Sequence, residues 1–224
     1  MTLPAWTVVH QQGSAAAFHE QAVPEPPRHE LWWFEVTRPA LVLGSTQRLE
    51  VVDGAAAAAA GTEVARRRSG GGAVHLRPGE ATWIDVVLPA TDPRWVADVG
   101  RSFAWLGAAW ARVLGELGHP GATVHDGPLV RTRWSDLVCF AGLGPGEVLV
   151  GGRKAVGISQ RRTRTHARFQ CAVLHRWEPG ALLEVLQLSD GERADAAREL
   201  AAAATGLGPV PGADLVEHLC AAIS

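Results

Sequence analysis

The sequence has almost no lysine. Of 21 basic side chains only Lys154 is a lysine, the others being arginine; tyrosine is absent and methionine occurs once. Lysine is ordinarily among the commonest residues, and the excess of arginine, alanine and glycine reads as a codon bias. A single ammonium kept against that drift points to chemistry that wants a compact point charge on a flexible stem, which arginine does not supply. The three cysteines, Cys139, Cys171 and Cys220, are odd in number, far apart and without a CxxC pair, so neither a disulfide framework nor a zinc site is indicated. The nine histidines show no HExxH spacing, which argues against a metal cage. No apolar run nears the roughly 18 residues of a membrane span. The opening MTLPAWTVVHQQG lacks the basic start and apolar stretch of a secretory signal, so a cytoplasmic, reducing location is expected. A formal net charge of −2 excludes a protein coated for duplex DNA. Neither GxxxxGK(S/T) nor GxGxxG occurs, so the phosphate loops of the common nucleotide folds are missing.

What is present suffices for a folded core: 224 residues, 47% hydrophobic and 20% charged. Short helices are expected over Gln12–Val23, stopped by Pro24, Pro26 and Pro27, and over Gln47–Ala60, closed by Gly61. A longer helix is expected within Trp95–Leu117, where Val99, Phe103, Leu106, Trp110, Val113, Leu114 and Leu117 share one face. Strands are expected at Leu31–Val36, Ala40–Gly44, Thr82–Leu88, Leu137–Phe140, Glu147–Val150 and Arg168–Leu174. Gly151-Gly152 marks a hairpin turn, and Ala181–Leu186, Glu192–Ala204 and Asp214–Ala222 close the chain as helices. The pattern is α+β: one domain over residues 1–190, with residues 191–224 as its helical C-terminal appendage. Trp32, Trp33 and the other tryptophans read as packing residues.

Two constellations carry chemistry. Arg66-Arg67-Arg68-Ser69-Gly70-Gly71-Gly72-Ala73-Val74 follows a strand; bare glycines let main chain approach a ligand and leave N–H groups free for an anion. The preceding arginines add bidentate donors for phosphate or carboxylate. The second is GGRKAVGISQRR, Gly151–Arg162. Between Gly151 and Arg168 lie six cations and no carboxylate, so positive charge is local in an otherwise acidic chain. With no aromatic residue from Gly151 to Ala167 there is nothing on which bases could stack, and a polyphosphate or an acidic partner surface suits this loop better than RNA. Cys139, in an apolar run, reads as a buried strand thiol; beside Lys154 it would instead be a nucleophile, because an adjacent ammonium favours the thiolate.

ARRRSGGGAV at Ala65–Val74 and GGRKAVGISQRR at Gly151–Arg162 together resemble the catalytic domain of the lipoate-protein ligase A family, within the biotin/lipoate ligase superfamily. The first matches the family's arginine–serine–glycine-triplet signature and the second its lysine hairpin; the resemblance covers roughly residues 5–190. It implies a mixed β-sheet flanked by helices, and an enzyme that attaches lipoate or octanoate to one lysine of a lipoyl domain. By that resemblance Arg67, Arg68, Ser69, Gly70, Gly71, Gly72, Ala73, Val74 and His75 would bind substrate, the glycine stretch lining the acyl tunnel. Gly157, Ile158 and Ser159 would back the same site, and Lys154 would hold the acyl carbonyl and phosphate oxygens as charge develops. ATP and Mg²⁺ would form an acyl-adenylate first, with Glu147 in the place of the family's metal-binding aspartate. Partners would be the E2 subunits of 2-oxo-acid dehydrogenases and the H protein of glycine cleavage. The segment His75-Leu76-Arg77-Pro78-Gly79-Glu80 departs from the family's His-Asp-x-Gly-Asn, retaining the glycine. Cys139, fifteen positions before Lys154 and followed by Phe140, is similar to the related octanoyltransferases, which pass the acyl group from acyl carrier protein through a cysteine without ATP. Both routes stay open, as does a non-catalytic relative that binds nucleotide, acyl group or RNA.

Overall fold

A computed structural model describes residues 5–224 of the chain. From the N-terminus the elements are β1 (Thr7–Gly13), α1 (Ala15–Glu20), β2 (Glu30–Val36) and β3 (Ala40–Leu43). Next come α2 (Gly54–Ala59), β4 (Glu63–Arg66), β5 (Val74–Leu76), β6 (Ala81–Pro89) and α3 (Ala104–Glu116). The chain continues through β7 (Thr123–Val124), β8 (Val148–Val150), β9 (Arg153–Arg162) and β10 (His166–Leu174), and ends with α4 (Gly180–Glu184), α5 (Asp190–Leu200) and α6 (Gly212–Ile223). Seven strands form one mixed sheet in the order β1-β2-β6-β10-β9-β8-β7, and three form a second, β4-β3-β5. Only β1–β2 and β3–β4 pair in parallel. The α+β architecture, a mixed sheet flanked by helices, is the expected one. No described helix is long and apolar enough to cross a membrane.

The centre of the large sheet follows from sequence. TWIDVVL in β6 is buried along its whole length, as a strand covered on both faces should be. One face carries Leu31, Ile84 and Val86 against Leu106, Trp110 and Val113 of α3, the helical stripe read from sequence. Leu215, Leu219 and Ile223 of α6 complete that layer, and the Trp6 indole N–H donates to the Ile223 carbonyl at 3.0 Å. Residues 191–224 therefore pack into the core of the domain. The other face, with Trp32, Phe34 and Trp83, meets the small sheet and Phe18 of α1.

Several local expectations change. Gln12–Val23 divides: β1 runs to Gly13, Ser14 caps α1 by accepting from Ala17 N–H, and the helix ends at Glu20 before the prolines. Asp53 caps α2 in the same way, so the Gln47–Ala60 helix starts only at Gly54, after a 3-10 turn at Leu49–Val51. The helix in Trp95–Leu117 begins at Ala104. Leu137–Phe140 is not a strand. Val138 makes a single parallel bridge to Ala73, and Cys139–Ala141 turns at once into a 3-10 helix. Nor is the segment after Gly151-Gly152 a loop; it is the ten-residue strand β9.

Asp85 and Arg168 form an ion pair in the middle of this architecture. Asp85 is fully buried; it accepts from Arg168 Nε at 2.5 Å and from the Trp83 indole at 2.6 Å. The guanidinium also donates to the Phe18 and Gln21 carbonyls, fastening α1 to the sheet. Burial pushes the Asp85 carboxyl up, and Arg168 opposes that rise. Breaking a buried pair leaves one charge uncompensated. Asp85→Ala is therefore expected to destabilise the fold by about 3–5 kcal/mol in urea denaturation; a loss within experimental error would show the pair to be dispensable.

Candidate active site

The hairpin between β8 and β9 turns through Gly151 and Gly152, whose φ angles of +59° and +75° suit glycine and few other residues. It delivers Lys154 to the interior. The side chain is 2% exposed, and its Nζ lies 2.7 Å from Glu147 Oε1 while donating to the Cys139 carbonyl at 3.0 Å and the Gly142 carbonyl at 3.2 Å. The Phe140 ring lies under the ammonium at 4.9 Å. The carboxylate of Glu147 is filled in turn: Oε1 also accepts from Ile158 N–H at 3.2 Å, and Oε2 from Gly144 N–H at 2.7 Å. The lone ammonium is thus a buried hub tying the strand to the Cys139–Gly142 turn. The other cations of the segment do not form one basic loop. Arg168 is paired with Asp85, and Arg162 stacks over Trp95 at 3.6 Å.

The glycine triplet is held from beneath. Arg67, 3% exposed, donates to the Gly70 carbonyl through Nε and Nη2, to Gly72 through Nη2 and to Val42 through Nη1. Its guanidinium is spent on main chain, so the bidentate anion donor expected there is not available; Arg68 is exposed. Packing is backbone to backbone. A Cβ on Gly72 would sit 2.6 Å from the Val138 carbonyl carbon, and one on Gly44 would sit 1.9 Å from the Gly71 oxygen. Ala73 N–H and O bond to Leu137 and Cys139. The N–H groups of Gly70, Gly71 and Gly72 find no acceptor among the described residues.

These two segments meet across a hydrogen bond between Ser69 Oγ and Ser159 Oγ at 3.0 Å. On one side of it lies a largely apolar slot, walled by Val42, Val74, Trp83, Phe140, Gly157 and Ala172 among others. On the other lies an open cleft that includes Gly70, Gly71, Gly72, Glu147 and Lys154. Cys139, Ile158 and Ser159 line both, so slot and cleft adjoin there. The structure therefore brings together most of the residues singled out in sequence. Arg68, Ala73 and His75 are the exceptions: Arg68 is exposed, and Ala73 and His75 face a separate crevice beside Trp177. His19 and Gln170, which also line the slot, carry no sequence signal; the register of β10 brings in Gln170, and the docking of α1 brings in His19.

No three His, Cys, Asp or Glu side chains among the described residues cluster as an all-protein cation site. Both oxygens of Glu147 accept here from Lys154 and from main-chain N–H groups, so that Glu147 is the counter-ion of Lys154; with nucleotide phosphates present, it is the carboxylate that would hold Mg²⁺.

Two imidazoles are held neutral. Burial, then Arg168 and Arg67, push His19 down to about 3; burial and Arg77 push His75 down to about 4. Free histidine titrates near 6.5, so folding excludes protons below that value. Their contribution to stability is complete above pH 6.5 and is lost as pH falls toward 4, at up to about 1.4 kcal/mol per pH unit for each excluded proton. The thermal midpoint should fall between pH 7.5 and 5, and fall less in His75→Gln. A midpoint level across that range would contradict the burial of these rings.

No curated protein matches the chain. Among solved structures it is similar to a bi-partite lipoate protein ligase of Thermoplasma acidophilum, described with its E2 lipoyl domain, with a TM-score of 0.73 at 17% identity over 100% of this chain and 83% of that one. A putative lipoate protein ligase of the same organism with bound lipoic acid gives 0.70 at 17% identity, over 100% and 84%. Lipoate-protein ligase A bound with ATP gives 0.62 at 18%, over 97% and 94%. At such identities the likeness is one of fold. The model of the lipoyl protein ligase A/B catalytic domain matches residues 15–215, running through the glycine bend, the lysine hairpin and into α6, and the chain belongs to that family.

Proposed function

We propose that this protein attaches lipoate or octanoate, in amide linkage, to a lysine of a lipoyl domain. The observation that carries the reading is the meeting of slot and cleft at Cys139 and Ser159, beside Lys154 and the free N–H groups of Gly70–Gly72. A medium-length acyl chain lies in the slot, where burial of apolar surface holds it, and its carboxyl end emerges at the junction. Charge that develops on the acyl oxygen meets preorganised donors: the glycine N–H groups and the Lys154 ammonium. Lys154 reaches it by releasing the Gly142 or Cys139 carbonyl while keeping Glu147. Partners of the stated chemistry are the lipoyl domains of 2-oxo-acid dehydrogenase E2 subunits and the glycine cleavage H protein.

For activation of the acid we favour the ligase route. ATP, when bound, supplies the adenylyl group that turns the carboxylate into a mixed anhydride, and the free glycine N–H groups support binding of its phosphate. A second reading is favoured by Cys139, half-buried at the junction. There Cys139 gives up its thiol proton and attacks the thioester of an acyl carrier protein; the carbon–sulfur bond to the carrier breaks, and the departing carrier thiolate takes up that proton. The acceptor amine then displaces Cys139 and forms the amide.

Intact-mass analysis of a lipoyl domain tests both routes. One incubation contains octanoate or lipoate with ATP and Mg²⁺, the other octanoyl carrier protein without nucleotide. The first arm is expected to add one acyl group, and Cys139→Ser to leave that gain within about twofold, since the thiol makes no bond there. Lys154→Arg should lower it at least about a hundredfold, the loss typical of a removed oxyanion donor. Mass gain confined to the second arm and abolished by Cys139→Ser would assign the thioester route. Gain in neither arm would overturn the proposal.

A further inference from the structure

The large sheet runs out where Lys154 sits. β10 pairs with β9 only as far as Val173 and Val156; past that point the His175 N–H goes to the Glu80 carbonyl at 2.9 Å. Lys154, two residues before Val156, is thus left without a β10 partner, although buried main-chain groups are seldom left unpaired. The partner comes from the segment between α5 and α6. The Ala203 carbonyl accepts from Lys154 N–H at 3.3 Å, and Thr205 N–H donates to the Lys154 carbonyl at 2.9 Å, a single parallel bridge centred on Ala204. The same segment is fastened to the end of β10: Leu207 N–H donates to the Leu174 carbonyl at 2.9 Å and Gly208 N–H to the His175 carbonyl at 3.0 Å. Between them Gly206 passes so close that a Cβ there would sit 2.3 Å from the His175 oxygen. Ala204 is 1% exposed and packs with Phe140 and Leu174, and Phe140 is the ring under the ammonium. The segment therefore meets both ends of the lysine, its main chain directly and its head through Phe140.

We infer that residues 203–208 form a strap that positions Lys154 for acyl transfer, with Ala203, Ala204 and Thr205 as its positioning residues. In the function proposed above, the ammonium must exchange one carbonyl for the reacting oxygen while keeping Glu147. A four-carbon stem makes that exchange in a fixed direction only when its root stays still, and small misplacements of a reacting group cost much rate. The strap holds the root. None of the described residues lining the slot or the cleft belongs to it, so its effect reaches the reaction through Lys154. This rests on the functional reading given above and deepens it: residues 191–224, an appendage by sequence, supply the strand that completes the sheet at the lysine.

The test uses the full chain and follows acyl gain by a lipoyl domain, in whichever incubation, with nucleotide or with octanoyl carrier protein, the unmodified protein is active. Thr205→Pro deletes the N–H that holds the Lys154 carbonyl. Its kcat is expected to fall about ten- to a hundredfold, with KM for the acyl donor within about twofold. Thr205→Ala keeps the N–H and should bring the rate back. Gly206→Ala, which forces the strap off β10 without removing a donor, should lose rate as Thr205→Pro does, and serves if the proline variant does not fold. Added to Lys154→Arg, either change should lower the rate by less than about twofold more, because residues that act through one another are not additive. Full additivity in that double variant would overturn the inference and leave the functional reading standing. So would unchanged kcat in the folded single variants, a loss carried by KM alone, or unfolding of both variants, which would make the strap a support of the fold only. Acyl gain in neither incubation of the unmodified protein would overturn the functional reading, and the inference with it.

Discussion

The site depends on a buried ammonium that has spent its protons. Removing a charge from water is costly unless a counter-charge and hydrogen bonds replace the solvent. Lys154 is given all of these: one carboxylate and two carbonyls. The consequence is geometric as much as energetic. The two carbonyls belong to the Cys139–Gly142 turn and the carboxylate to the residue just before β8, so a single point charge fixes the turn against the strand. A guanidinium, planar and wider, would force these three acceptors into one plane. That is a physical reason for one lysine to persist in a chain that otherwise uses arginine.

The second constraint is the absence of side chains at the glycine bend. Gly44, Gly71 and Gly72 let two stretches of main chain approach each other and the Val138–Cys139 segment more closely than a Cβ allows. Arg67, drawn inward to bind the bend's own carbonyls, leaves the N–H groups of Gly70–Gly72 without an acceptor among the described residues. Anion donors at this site are therefore backbone. The bend is held by Arg67, whose guanidinium is bound to its carbonyls, and the Ser69–Ser159 contact then locks the bend to the lysine strand. Slot and cleft adjoin because these two locks share neighbouring residues.

Much of this was legible in the sequence, for a definite reason. Glycine triplets, a Gly-Gly hairpin and a lone lysine are local signals whose cause is local, and the stripe on α3 and the apolar run of β6 report burial directly. What escaped reading depended on partners distant in sequence. Cys139 sits in an apolar run that suggests a strand, yet its N–H is taken by Ala73 and its neighbours by a tight turn. Arg67 resembles a surface anion donor until the carbonyls of its own bend are seen around it. Glu147 reads as a metal ligand in family context, and only the fold shows Lys154 2.7 Å away. His19 enters through α1, which Arg168 of β10 ties to the sheet.

The Glu147–Lys154 pair also constrains how the site handles charge. An ammonium already neutralised by a carboxylate attracts an approaching anion only weakly from a distance, since the pair presents a dipole and not a net charge. Its value lies at contact. An acyl or phosphoryl oxygen that becomes anionic can exchange with the Gly142 or Cys139 carbonyl, trading a neutral acceptor for a charged one and strengthening that bond, as charge-assisted hydrogen bonds do. Exchange with Glu147 would gain nothing of the kind, because one anion would replace another and leave the first buried and unpaired. Under the proposed function, the arrangement favours the state in which charge has developed over the ground state that precedes it, which is the condition for accelerating a reaction and not merely binding its substrate. Long-range attraction falls instead to exposed cations such as Arg68 and Arg153, which stand outside the site and can draw an acidic surface toward it without competing for the reacting atoms.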